Sequence, residues 1–411
     1  MLLGQSPCPD CEPAQVNHLV IRSGAYLGLL LKPLLRPLDA LVRLTLPSRS
    51  FSLFDIAAPL ALRALAALRL GTLTAELTEK DSDRTRCLVE EAKRRDIAIT
   101  QFKCGAFKDI FIATQSGKTR CFDGLPRPVG PDAPSLAWMD NKPKMRERFA
   151  QAGIPIACGA SAFSEKEALR IFHSLTKPVI VKPYSGSRSR HTTIHIETEA
   201  QLRRAFRNAK VLSPLALIEE ELEGFVYRGT LIDGKLVAVM RREPPHIIGD
   251  GTRSVRALVA EENTRPERHS HTFHPIATGS EAAAELARQN LKWESVPQKG
   301  ALVTLHPKIS RGVGASTTDV TDLIHPENKM ILEKMGRVLK DPLVGVDFIV
   351  ADIARPMQEQ KRAGVIECNS LPFIDLHHYP LNGEVQNVAG ALWDLIFPDS
   401  ALKENEKIAT L

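Results

Sequence analysis

Two apolar stretches near the end of the sequence carry oxygen-bearing side chains: Gly345-Val346-Asp347 and Val365-Ile366-Glu367-Cys368-Asn369. Side chains two residues apart on a β-strand point to the same face of a sheet, so Glu367 and Asn369 share a face while Cys368 points into the core. Carboxylate and amide oxygens suit Mg²⁺, which proteins usually hold with one or two carboxylates together with substrate phosphates. The pattern predicts a magnesium site that works with a nucleotide bound elsewhere in the chain.

The composition is that of an ordinary globular protein. The 411 residues are 43% hydrophobic and 25% charged, which predicts about two or three domains with ample cores. A net charge of +6 helps to attract nucleotides or acidic substrates, and the absence of a basic block interleaved with aromatic residues argues against nucleic acid. The seven cysteines are scattered, and no signal peptide precedes them, which favours a reduced, cytoplasmic setting.

The first 46 residues contain two ambiguous features. Cys8-Pro9-Asp10-Cys11 is a single C-x-x-C pair without a second pair at zinc-finger spacing and without a preceding strand, so the sequence disfavours a metal or redox function there. The leucine-rich segment Tyr26–Leu46 is interrupted by charges and by two prolines. It favours an amphipathic packing helix, and a membrane or protein contact through residues 20–46 is the weaker alternative.

Local signals predict the organisation of the chain. Asp83 to Arg95 is helical and charged, and short apolar stretches at 97–99 and 110–113 are typical of strands. A proline-rich linker, 124–134, follows. We therefore expect three parts, of which the last is itself divided: a helical N-terminal segment (1–70), a small α/β unit (71–135), and a large α+β domain (136–400, with subdomains 136–240 and 241–400).

The large domain has strong start and stop signals. Asp140-Asn141-Lys142-Pro143 opens a helix, with Asp as the cap and Pro in the first turn. Ser164-x-x-Glu167 and Thr198-x-x-Gln201 are capping boxes at the start of two further helices. Asp233-Gly234 between two apolar stretches predicts a β-hairpin.

A phosphate-binding loop is the next candidate. Lys182 ends an apolar strand, and the segment 184–190, which follows Pro183, is dense in small residues and hydroxyl groups. Backbone N–H groups of such a loop can cradle phosphate oxygens, although by itself the segment is more typical of a solvated loop. The order of elements along the chain nevertheless favours a phosphate-binding loop. A lysine, Lys142, also opens a helix before it, and an acidic stretch, 219–221, ends a later strand.

This order of lysines, acid-ended strand and metal-binding strands resembles the ATP-grasp ligases. The resemblance implies an α/β fold of the α+β type, in which two subdomains grip ATP, together with two Mg²⁺ ions for which Mn²⁺ is a substitute. It implies phosphate contacts at Lys142, Lys182, Ser185, Gly186 and Ser187, nucleotide contacts at Glu219, Glu220, Glu221 and Glu223, and metal ligands at Asp347, Glu367 and Asn369.

A narrower resemblance covers residues 136–398. The series Pro244–Gly251, Ser295–Gly300, Ser316–Asp322 and His325-Pro326 is similar to the ATP-grasp half of cyanophycin synthetases. Those enzymes carry a second, Mur-ligase-like half with its own P-loop, so we expect this chain not to perform both of their steps. Val226 also stands where the family usually has an acid for the ribose hydroxyls, which leaves Glu223 or backbone for that contact.

Several side chains remain as catalytic or structural candidates. Arg228, on a strand, and Arg311, in a glycine-rich loop, suit the binding of phosphate, acyl-phosphate or carboxylate. His377-His378 favours substrate contact or packing over metal binding, since Mg²⁺ prefers oxygen ligands. His246 favours a role in shaping its loop.

The resulting prediction is a ligase that joins a carboxylate to an amine, with an amino acid or peptide as substrate. The alternatives are a kinase that phosphorylates a hydroxyl and a regulatory module that binds ATP without turnover. The sequence predicts small-molecule partners and no nucleic acid, and it leaves the oligomeric state open, with a homo-oligomer as one alternative.

Overall fold

A computed structural model describes residues 8, 11, 16–23, 26, 50–105, 107–127, 142–184, 190–270 and 272–400, with the backbone alone at 50–54, 56, 107, 108, 142 and 143. The chain forms two compact units, each made of separate segments. Unit 1 contains residues 1–46, 135–224 and 348–367, and unit 2 contains residues 47–134, 225–347 and 368–411. The domain limits given above stay predictions.

The helices and strands are numbered in chain order. Helices are α1 (Ser50–Ala67), α2 (Asp83–Arg94), α3 (Lys142–Gln151), α4 (Glu165–Ser174), α5 (Glu199–Ala209), α6 (Val255–Glu262), α7 (Ser280–Arg288), α8 (Pro326–Leu339), α9 (Asp375–His378) and α10 (Val388–Ile396). Strands are β1 (Thr72–Thr74), β2 (Ala98–Cys104), β3 (Phe107–Gln115), β4 (Lys118–Asp123), β5 (Gly159–Ala162), β6 (Val179–Pro183), β7 (Thr193–Ile196), β8 (Ala216–Glu220), β9 (Phe225–Ile232), β10 (Lys235–Glu243), β11 (His246–Ile248), β12 (Leu302–Thr304), β13 (Ser316–Asp319), β14 (Leu343–Val350) and β15 (Gly364–Asn369).

Unit 1 is built on an antiparallel sheet with the order β5-β8-β6-β7. Helices α4 and α5 pack together and bury Phe172 and Phe206 against the sheet residues Val181 and Ile218. Both predicted capping boxes are confirmed, because each cap side chain accepts a backbone N–H and the residue at the third position bonds back to the cap. Local sequence therefore fixes where both helices of this layer begin.

In unit 2, β13, β10, β9 and the first part of β14 are neighbours in that order within a five-stranded sheet. The predicted hairpin joins β9 to β10, and its turn residues Asp233 and Gly234 have φ angles of 49° and 73°. Two consecutive positive φ values are typical of a type I′ turn, whose twist matches that of the flanking strands. The strands that carry Arg228 and Asp347, β9 and β14, are neighbours in this sheet.

A second sheet of unit 2 has the order β1-β2-β3-β4. Here the predicted helix at Asp83 and the predicted strands at 97–99 and 110–113 are confirmed as α2, β2 and β3. The core beside this sheet also takes in α10, because Leu88, Phe111 and Trp393 are buried in one cluster. The indole Nε1 of Trp393 donates to the carbonyl of Leu88 at 3.0 Å, which satisfies its only polar atom.

Among the described residues, no helix has the length and apolar character needed to cross a membrane. The predicted amphipathic helix at Tyr26–Leu46 falls, apart from Tyr26, outside the described residues.

Candidate active site

In unit 1, two predicted nucleotide-binding residues lie on neighbouring strands and form a buried ion pair. Lys182 on β6 and Glu219 on β8 are 8% and 3% exposed, and the ammonium group of Lys182 pairs with one carboxylate oxygen of Glu219. The other oxygen accepts from Arg146 on α3, which also donates to the carbonyl of Ala157. The sequence analysis missed Arg146, because nothing in the local pattern separates it from a surface arginine of an amphipathic helix.

The remaining acids of the predicted nucleotide strand differ in their roles. Glu220 accepts the backbone N–H of Thr176 at 2.9 Å, and Glu221 accepts that of His195 at 2.7 Å. Both carboxylates therefore stabilise neighbouring chain. Glu223 is about half exposed and lies 3.5 Å from Arg362. Of these three carboxylates, that of Glu223 is the most accessible to a ligand.

Other predicted phosphate contacts stay predictions. Lys142 is the first residue of α3, as expected, but its side chain lies outside the described part of the structure. Ser185, Gly186 and Ser187 also lie outside the described residues.

In unit 2, the predicted metal ligand Asp347 is paired with the predicted catalytic residue Arg228. Nε and Nη2 of Arg228 donate to the two carboxylate oxygens, the second at 2.7 Å. A further cation, Arg242, lies 3.9 Å from Asp347. Arg228 and Asp347 are 4% and 5% exposed, and a buried carboxylate is tolerated only when a cation or hydrogen bonds compensate its charge. Arg228 supplies both.

The side-chain oxygen atoms of Asp347 and Asn369, both in unit 2, are suited to a magnesium ion. Asn369 lies on β15, the neighbour of β14, and Glu367 lies two residues earlier on the same strand. Cys368 between them is buried, as predicted. The amide nitrogen of Asn369 is buried and has no hydrogen-bond partner among the described residues, and as a donor it is suited to an oxygen acceptor such as that of a phosphate. The donor set consists of oxygen atoms, as Mg²⁺ requires.

Arg311, the second predicted catalytic residue, lies in a 3₁₀ turn of unit 2. One terminal nitrogen of its guanidinium donates to the carboxylate of Asp375 at 2.7 Å. The other lies 3.6 Å from Asp83, beyond hydrogen-bond distance, and makes no hydrogen bond within the described residues. Asp375, whose role the sequence does not indicate, is 1% exposed. Arg311 is therefore oriented by one acid and keeps a donor for a further anionic group.

His377 and His378 are buried and take packing roles. Nε2 of His377 lies 2.8 Å from the hydroxyl of Thr230, and Nε2 of His378 accepts the backbone N–H of Ala389 in the first turn of α10. Burial lowers the pKa of His377 to about 3 and that of His378 to about 4. Both rings are therefore neutral near pH 7, and His378 serves as a helix cap.

The motifs of the narrower resemblance lie together in unit 2. The backbone N–H of Gly249 donates to Ala301 at 2.8 Å, Gly300 donates to Gly249 at 2.8 Å, and Gly251 donates to Pro297 at 3.1 Å. Within the first motif, Nδ1 of His246 lies 2.9 Å from the carbonyl oxygen of Pro244, which agrees with its expected role in shaping the loop. Two sequence motifs about 50 residues apart thus form one structural feature.

Comparisons with known proteins agree with these motifs. No family model matches the chain. Over 330 residues it is 28% identical to cyanophycin synthetase from Geminocystis herdmanii, a match that covers 77% of this chain and 36% of the relative. It is 30% identical over 263 residues to cyanophycin synthetase from Nostoc, covering 63% of this chain and 29% of that one. The chain spans about a third of the length of these curated relatives.

Two further proteins are similar to the chain. The glutathione biosynthesis bifunctional protein of Listeria innocua is 30% identical over 269 residues, which cover 64% of this chain and 35% of the relative. The crystal structure of a bifunctional glutathione synthetase from Pasteurella multocida superimposes with a TM-score of 0.61 at 22% identity, over 78% of this chain and 44% of that one. The chain therefore has the ATP-grasp fold, and its sequence is similar to the ATP-grasp part of cyanophycin synthetases, as its motifs predicted.

Proposed function

We propose that the chain is an ATP- and Mg²⁺-dependent ligase that joins a carboxylate to an amine through an acyl-phosphate and releases ADP and phosphate. The observation that supports this most strongly is the buried pair of Arg228 and Asp347, a potential metal ligand beside a bidentate cation. Two curated relatives of the chain are synthetases, and this similarity does not favour a kinase or a binding module without turnover.

Asp347, Glu367 and Asn369 would hold Mg²⁺, in the form of two ions, with Mn²⁺ as a substitute. When bound, the ions draw negative charge away from the phosphoryl group that is being transferred. Lys182 would contact nucleotide phosphates, helped by Lys142 and the loop residues Ser185, Gly186 and Ser187. Glu223 would contact the ribose, because its carboxylate is exposed and no acid stands at Val226.

Activation is needed because a carboxylate is a poor electrophile. Its oxygen would take the γ-phosphoryl group of ATP, and ADP would leave. The amine then attacks the carbonyl carbon of the acyl-phosphate, loses a proton to solvent or product phosphate, and expels phosphate as the amide forms. Guanidinium donors of Arg228 are suited to the oxyanion of the tetrahedral intermediate. The uncommitted nitrogen of Arg311 is suited to a substrate carboxylate.

We propose an amino acid or peptide as the substrate. The relatives are named for cyanophycin and glutathione synthesis, and Arg311 offers recognition of a carboxylate. We place the reaction in the cytoplasm, since none of the seven cysteines, all of which lie among the described residues, forms a disulfide, as is typical of a reducing compartment.

The test measures phosphate release from Mg-ATP with amino acids and short peptides offered in pairs as carboxylate donor and amine acceptor. The proposal expects release that needs both substrates, together with a product whose mass equals their sum minus water. Release with one hydroxyl compound and a phosphorylated product would instead establish a kinase. ATP binding without consumption for any pair would contradict the ligase.

A further inference from the structure

Four potential metal ligands converge in unit 1, and none of them belongs to the candidate active site. Cys8 and Cys11 come from the C-x-x-C pair, His18 follows seven residues later, and His191 comes from the distant segment between β6 and β7. One ligand atom from each lies within 4.8 Å of all the others. The sequence analysis disfavoured a metal here because it found no second pair of ligands. The structure supplies that pair as two histidines, one of them 180 residues from Cys11.

The distances match a tetrahedral zinc site. Zn–S bonds of about 2.3 Å and Zn–N bonds of about 2.0–2.1 Å place sulfur and nitrogen about 3.5 Å apart and two nitrogens about 3.4 Å apart. Here Nε2 of His191 lies 3.7 Å from Sγ of Cys8 and 3.5 Å from Sγ of Cys11. Nε2 of His18 lies 3.2 Å from Sγ of Cys11 and 3.4 Å from Nε2 of His191.

The surroundings orient the ligands. Nδ1 of His191 donates to the amide oxygen of Asn208 at 2.7 Å, so Nε2 carries the lone pair that faces the two sulfurs and His18. A hydrogen bond on the second ring nitrogen is the usual feature of a metal-bound histidine. The backbone N–H of Cys11 donates to the carbonyl of Cys8 at 3.0 Å, which closes a tight turn between the two thiols. Cys11 and His191 are 0% and 3% exposed.

We propose that Cys8, Cys11, His18 and His191 bind one Zn²⁺ ion in a closed structural site. Two thiolates and two imidazoles in tetrahedral arrangement are typical of structural zinc, and four protein ligands leave no position for a substrate. The site ties Cys8, Cys11 and His18 of the N-terminal segment to His191, which follows the predicted phosphate loop in sequence. It is separate from the magnesium ligands, which are oxygen atoms.

The first test is the metal content of the protein, produced without a histidine tag and dialysed against metal-free buffer. We expect about one zinc per chain by elemental mass spectrometry. Replacing zinc by Co²⁺ should produce the intense visible bands of tetrahedral cobalt with thiolate ligands. Protein that contains no zinc, and that takes up neither Zn²⁺ nor Co²⁺ when titrated after reduction, would overturn the proposal.

Variants identify the ligands. Cys11→Ser and His191→Asn should each lose most of the zinc. Asn is chosen at position 191 because it tolerates the positive φ of 52° there. The matched controls are Cys158→Ser and His173→Asn, at two exposed positions of the same unit, and both should retain it. Zinc in Cys11→Ser and His191→Asn equal to that of the controls would refute the assignment.

A third variant covers the case in which loss of a ligand prevents folding. Asn208→Ala keeps all four ligands and removes only the hydrogen bond that orients His191. We expect its zinc affinity, measured by competition with a chromogenic chelator, to fall about 10- to 100-fold. Unchanged affinity would argue against His191 as a ligand. None of these measurements depends on the proposed ligase activity.

Discussion

At the scale of single residues, the charged side chains of the candidate site are already paired with one another. Lys182 pairs with Glu219, Asp347 with Arg228, and Arg311 with Asp375. Buried ions need such partners, because an isolated charge inside a protein costs several kcal/mol. Ligand binding therefore has to exchange these partners. Consequently, substitutions at the site change stability as well as binding, and the two effects have to be measured separately.

The proposed metal ligands illustrate this. Glu367→Gln should abolish turnover because it removes a proposed ligand, and the fold should stay intact because Glu367 is only half-buried. Asp347→Asn, in contrast, also leaves Arg228 buried without its counter-charge. We expect Asp347→Asn to lower the free energy of unfolding by about 3 kcal/mol or more in urea titrations without ligands. The double variant Arg228→Met/Asp347→Leu should lose less than Asp347→Asn alone.

The control for activity is Glu359→Gln, which removes an exposed acid and should turn over normally. Turnover by Glu367→Gln equal to that of this control would refute the metal assignment. A double variant less stable than Asp347→Asn would show that the ion pair is not the source of the lost stability.

For a substitution at Lys182, we expect a loss of ATP binding with little loss of stability. In Lys182→Met, Glu219 keeps its second cation, Arg146, so we expect little loss of thermal stability. ATP affinity measured by calorimetry should fall at least 10-fold, because the proposed phosphate contact is gone. Lys166→Met, an exposed lysine of the same unit, is the matched control. Equal ATP affinity in the two variants would remove Lys182 from the nucleotide site.

The sequence predicts the role of a single residue only where a local pattern indicates it. Asp347, Glu367 and Asn369 can be proposed as metal ligands from the sequence because their spacing along strands carries the signal, and this assignment stays a prediction. Arg146 and Asp375 could not be identified, since their roles arise from contacts between segments that are 64 or more residues apart in sequence.

At the scale of elements, the sequence was more informative because caps and tight turns are local. Ser164 and Thr198 begin their helices as predicted, and Asp233-Gly234 forms the predicted turn. Each signal depends on hydrogen bonds or φ angles within about five residues. The register of the five-stranded sheet could not be predicted in the same way, since β9 pairs with β14 across more than 100 residues.

The hairpin allows a direct test of this local control. Gly234 has a φ of 73°, and a Cβ added there meets no atom within 4 Å. Gly234→Ala should therefore act through backbone strain alone and destabilise the protein by about 1 kcal/mol in urea titrations. Gly312→Ala is the matched control, since its φ lies outside the positive range and its Cβ would make only an ordinary contact. Equal losses in both variants would show that the positive φ does not matter.

At the scale of the whole molecule, residues that are far apart in sequence form clusters that could not be predicted from the sequence. The proposed zinc ligands come from both ends of a stretch of more than 180 residues, and α10 completes a core with α2, about 300 residues earlier. Composition identifies the residues that can enter such clusters, but only the fold shows which of them meet. His377-His378 belongs here as well, since its packing role depends on Thr230 and Ala389.

These two histidines make global stability depend on pH. Burial lowers the pKa of His378 from 6.5 to about 4 and that of His377 to about 3. Between pH 6.5 and 4, the unfolded chain binds protons at both positions and the folded chain does not. Their contribution to stability is therefore fully present above pH 6.5 and is lost as the pH falls, by about 1.4 kcal/mol per pH unit for each histidine.

The substitution His378→Gln isolates one of the two contributions. Gln can still accept the backbone N–H of Ala389, but it does not titrate. In urea titrations from pH 7.5 to 4.5, the free energy of unfolding of the wild type should fall more steeply than that of the variant. Below pH 6.5, the difference in slope should be about 1.4 kcal/mol per pH unit, whereas above pH 6.5 the two slopes should agree. Parallel slopes would mean that the ring accepts protons equally well in the folded and unfolded states, which contradicts its role as a neutral cap of α10.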